Sequence, residues 1–114
     1  MSTTENGAVK LKRPVDFEIL GAYSDGEQDV GVNIAERIDY NRSYVNTRLP
    51  QLEDYGLLTK VGPSERSGLY RITPKGVAAL RLRNEYGEEG YEELVDERAA
   101  PIEVHRPRIT GDEF

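Results

Sequence analysis

The sequence holds no cysteine and a single histidine, His105. Without cysteine there is no disulfide framework, no thiolate metal site and no thiol nucleophile. A lone histidine gives no transition-metal site, and no serine or threonine is patterned with it as a nucleophile with its base. No cofactor, no metal and no enzymatic activity are therefore expected. Long apolar runs are missing too. None approaches the ~20 residues that span a bilayer, so no membrane partner is expected. The first residues, MSTTENGAVKLKRP, lack an apolar signal core, and a cytoplasmic protein is expected. Apolar residues are scarce at 37% and charged ones abundant at 32%. In 114 residues that leaves one modest core, with part of the chain given to tail or charged surface.

Net charge is −6, the wrong sign for a simple nucleic-acid binder. It is unevenly spread. Residues 1–84 carry 12 basic against 11 acidic side chains, whereas residues 85–114 carry 3 against 10. The acid thus sits in a C-terminal extension and leaves a nearly neutral domain before it. Only four of the fifteen basic residues are lysine (Lys10, Lys12, Lys60, Lys75). Acid-rich, lysine-poor, weakly apolar chains resemble haloarchaeal proteins, whose surfaces stay hydrated in concentrated salt.

Periodicity and turn chemistry divide the chain. Residues 1–13 read as a flexible arm, with Lys10, Lys12 and Arg13 as possible phosphate contacts. Pro14 suits the first turn of a helix, Asp16 and Glu18 suit its dipole, and Ser24-Asp25-Gly26 ends it. Gln28 to Val32 reads as a minimal strand, and Asn33 as the cap of a second helix, Ile34 to Ile38. After Asp39-Tyr40-Asn41 a third helix is expected from Arg42 to Tyr55. Its stripe is Val45, Leu49 and Leu52, Pro50 is expected to kink it, and Gly56 is its left-handed stop. Leu57–Val61 and Leu69–Ile72 read as strands joined by the loop 62–68. Thr73 caps a fourth helix with Pro74 in its first turn and Val77 and Leu80 facing inward. From Glu85 onward the acidic extension offers one apolar turn, Tyr91, Leu94 and Val95, and then nothing regular.

The fold class expected is mainly α with a small β-hairpin (α+β), in the order of a winged helix-turn-helix. The stretch LPQLEDYGLLTKVGPSERSGLYRITPKGVAAL carries Leu49, Leu52, Gly56, Leu57 and Leu58, then Thr73 and Gly76 after a hairpin. Over residues 14–84 this resembles winged-helix regulators. With Arg48-Leu49-Pro50 it is similar to the haloarchaeal phage phi-H repressor-like family. The resemblance implies sequence-specific binding of double-stranded DNA, commonly as a repressor and as a homodimer.

The residues themselves point the same way. A helix fits the major groove and presents its N-terminal residues to base edges. On the third helix the side opposite the apolar stripe holds Ser43, Tyr44, Asn46 and Thr47, with Arg42 and Arg48 flanking it. Asparagine pairs with adenine, threonine bonds a base edge or touches a thymine methyl, and arginine suits guanine or phosphate. No acidic residue occurs from Arg42 through Gln51, although the protein is acidic. Lys60, Arg66 and Arg71 on the hairpin are further candidates for minor-groove or backbone contact. The competing expectation is a winged helix used for protein contact, with no direct contact to DNA. The pairs Glu88-Glu89 and Glu92-Glu93 read as solvated charge.

Overall fold

Glycines and capping side chains cut the chain into short elements. A computed structural model describes residues 9–62 and 68–104. In order these form α1 (Val15–Ala22), β1 (Asp29–Val30), α2 (Gly31–Ile38), α3 (Arg42–Asp54), β2 (Leu58–Lys60), β3 (Leu69–Ile72), α4 (Pro74–Arg81) and α5 (Tyr91–Ala99). A 3-10 turn, Arg83–Glu85, follows α4. The described residues thus form a small α+β domain of five α-helices and a three-stranded antiparallel sheet. No described helix is long and apolar enough to cross a membrane.

The sheet order is β1-β3-β2. Leu58 pairs with Ile72 and Lys60 with Tyr70, while Val30 pairs with Leu69. The two-residue β1 thus joins the hairpin from 40 residues away, a pairing no local pattern reveals. Tyr23 fixes this strand from beneath, its hydroxyl donating to the Asp29 carbonyl at 3.0 Å.

Helices α2 and α3 end alike. Asp39 (φ 61°) and Gly56 (φ 82°) take the left-handed conformation. The following amides, Tyr40 and Leu57, then donate five residues back to Ala35 and Leu52. This pattern satisfies carbonyls that a helix end otherwise leaves bare. Asn41 starts α3, accepting from the Tyr44 amide at 3.0 Å, and Thr73 starts α4, accepting from Gly76 at 3.0 Å. The Thr73 hydroxyl also donates to the Gly56 carbonyl at 2.6 Å, tying α4 to the end of α3. Gly76 is obligatory here, because a Cβ would land on the Leu57 carbonyl oxygen.

Several expectations are corrected. Helix α2 begins at Gly31 with Val30 before it, and Asn33 is not its cap but donates to Asp29 at 2.8 Å. Val30, the extended last residue of β1, stands at the cap position, three residues before the expected Asn33. Helix α3 ends at Asp54 rather than Tyr55, with Pro50 inside it on the exposed side. On α4 the fully buried side chains are Ala78 and Ala79, while Val77 and Leu80 are half-buried. Small residues there let α5 approach closely.

The core also draws on both flanks. Tyr91 and Val95 are buried, and the Tyr91 hydroxyl donates to the Ala79 carbonyl at 2.9 Å. Residues 9–13, expected as part of a flexible arm, are instead fixed: Leu11 is buried, its amide donates to the Tyr86 hydroxyl, and the Val9 amide donates to Glu92. A small core gains from such additions, since each large buried side chain contributes about 1.5–3 kcal/mol.

Candidate nucleic-acid interface

Burying Val45, Leu49 and Leu52 forces the remaining sides of α3 outward. Arg42, Ser43, Tyr44, Asn46 and Thr47 are all exposed, over the first two turns. Tyr44 is 39% exposed and lies against Tyr40, ring centroids 6.5 Å apart. The Thr47 hydroxyl donates to the Tyr44 carbonyl at 2.6 Å, which orients its methyl group and leaves its oxygen free to accept. Asn46 lies over Gly31, where any Cβ would collide with Asn46 Oδ1. That close approach seats the start of α2 against α3.

Arg48 departs from expectation. Its Nε and a terminal nitrogen donate to the two carboxylate oxygens of Asp16 at 3.0 and 2.8 Å. The Arg48 side chain is 11% exposed and that of Asp16 is fully buried. The hydrogen bond to Asp16 pushes the Arg48 pKa up, locking in the cation. Arg48 is thus a fixed strut between α1 and α3 and is withdrawn from any external contact. Asp16, expected to complement a helix dipole, is the one fully buried charged residue among those described, and it also accepts from the Lys12 amide at 2.7 Å. Thirty-two residues separate the pair, so no local pattern signals it.

The hairpin lies beside α3. Lys60 is exposed at the end of β2, and Arg71 is half-buried opposite Thr59. Arg66 lies outside the described residues. Arg37, flanking the turn between α2 and α3, is held by Asp29 at 2.6 Å and by the Ala22 carbonyl. On this side Arg42 and Arg71 carry no side-chain ion pair or hydrogen bond among the described residues. One residue beside the face is not among the expected site residues: Tyr40, which backs Tyr44. The four-residue spacing of the two tyrosines was the available clue.

No family model, characterised protein or solved structure matches the chain.

Proposed function

We propose that the domain is a winged helix-turn-helix and that it binds double-stranded DNA by sequence, with α3 in the major groove and the β2–β3 hairpin as its wing. The observation that carries this reading is the outward face of α3. Ser43, Tyr44, Asn46 and Thr47 stand exposed there, with Arg42 at the helix start and no carboxylate before Glu53. A solvated face in a chain of net charge −6 would be expected to include acid. Serine, asparagine and threonine hydrogen-bond to base edges, and a tyrosine ring packs on a thymine methyl or a sugar.

The element order supports the reading. Helix α2 braces α3 through a tight turn, and the hairpin follows directly. With Arg48 withdrawn, specificity rests on the groove face rather than on phosphate neutralisation. Such binding suits a cell rich in salt, where counterion release contributes little. One α3 reads only a short site, so two copies on paired half-sites are proposed, acting as a repressor.

The alternative, a module for protein contact alone, needs an apolar patch. The exposed large apolar side chains among the described residues are Val32 and Tyr44.

Selection from a random duplex library in molar KCl tests the proposal. Enrichment of one motif, arranged as an inverted repeat, is expected. Recovery of no preferred sequence would overturn it.

A further inference from the structure

On the side of α1 away from Arg48, an open cleft of about 610 Å³ lies between α1 and the end of α4. Its apolar walls are Pro14, Phe17 and Leu80, and two arginines, Arg13 and Arg83, border them. We propose that this cleft binds a small organic monocarboxylate with an apolar body, independently of the reading face on α3.

Both cations are held in place. The Arg13 guanidinium stands 5.0 Å above the ring of Tyr86. Tyr86 is itself fixed, edge-on to Phe17 at 5.8 Å and to Tyr91 at 5.3 Å, and its hydroxyl bonds the backbone of Leu11. Arg83 donates one nitrogen to the Leu80 carbonyl at 3.0 Å. A guanidinium has five donors, so each arginine keeps several for a ligand. Neither forms an ion pair among the described residues, although Glu18 borders the same cleft. Fixed guanidinium groups suit a planar carboxylate, because little side-chain freedom is lost on binding.

Volume and lining fit a ligand-sized site, in which an apolar wall supplies contact area and a few polar groups orient the guest. Glu18 sets the charge: it disfavours a dianion and leaves room for one negative group. Gly21 borders open space in the cleft, since a Cβ added there meets nothing within 4 Å. A neutral ligand would leave the two guanidinium groups unmatched, and a bare anion would leave Pro14 and Leu80 uncovered.

The probe is 2-naphthoate, compared with neutral 2-naphthamide and with acetate, followed by amide NMR shifts of the full chain. Saturable shifts centred on Arg13, Gly21 and Arg83 are expected with naphthoate alone. Arg13→Gln and Arg83→Gln should each weaken binding about tenfold. Gly21→Leu fills the cleft and should abolish binding while the remaining spectrum keeps the native pattern. Equal affinity for naphthamide, wild-type affinity in either glutamine variant, retained binding in Gly21→Leu, or shifts that never saturate would each overturn the proposal.

Discussion

The guanidinium of Arg48 spans both carboxylate oxygens of Asp16, at 3.0 and 2.8 Å, and joins the middle of α3 to the first turn of α1. A pair so placed is costly to desolvate, and its worth lies in geometry as much as in energy. It fixes how α3 sits on the domain and removes a charge from the outer surface. Breaking it is expected to be expensive. Arg48→Ala leaves a buried carboxylate without its cation and should cost about 3–5 kcal/mol, while replacing both residues, as in Asp16→Leu with Arg48→Met, should recover most of that loss. Denaturant melts of the single and double variants measure the difference.

Alkaline stability follows from the buried phenols. Burial pushes Tyr91 up to about 12, and burial with the nearby Asp29 carboxylate raises Tyr23 as well. An unfolded tyrosine ionises near ~10. The folded state therefore holds its phenolic protons more tightly than the unfolded state does. Their contribution is fully present below pH ~10 and is lost as pH rises from there towards about 12. Absorbance at 295 nm should show phenols, those of Tyr23 and Tyr91, that ionise only as the helical signal collapses.

Two glycines are expected to fail differently as alanine. Gly76→Ala drives a Cβ into the Leu57 carbonyl and the Ile72 side chain, and should cost about 1–3 kcal/mol with no local remedy. Gly31→Ala meets chiefly the Asn46 side chain, with Leu49 next at 3.1 Å. Adding Asn46→Ala should therefore restore much of the stability lost at Gly31 and none of that lost at Gly76. Thermal melts of the paired variants decide it.

Much of this architecture is legible in the sequence, and the exceptions share a cause. The α3 stripe of Val45, Leu49 and Leu52, the stop at Gly56 and the Thr73-Pro74 start of α4 all depend on neighbours within a few residues. The Asp16–Arg48 pair, the joining of β1 to β3 and the seating of Tyr91 under α4 depend on contacts between distant parts of the chain. Each of those residues has an ordinary local explanation: a dipole carboxylate, a surface arginine, a tail tyrosine. Of the candidate site, Ser43, Tyr44, Asn46 and Thr47 are exposed as expected, whereas Arg48 is not available. Tyr40 lies in the turn before α3, outside the helix that carries the expected face.

Salt dependence of the proposed DNA binding should be shallow. Each neutralised phosphate contributes a slope of about −0.9 to log K against log salt. With Arg48 occupied, Arg42 and the hairpin cations are what the face has to offer, and a slope no steeper than about −4 is expected. Fluorescence anisotropy across a KCl series measures it; a slope near −8 would mean that phosphates carry the binding.

The central claim is that the uncharged face of α3 reads base edges. Its most direct test is the affinity of a Ser43→Ala/Asn46→Ala/Thr47→Ala variant for the selected site, measured beside its thermal melt. Each lost base contact is worth roughly 1–3 kcal/mol, so affinity should fall at least about a hundredfold while the melt stays close to that of the parent. Unchanged affinity and sequence preference in a variant that melts normally would contradict the account.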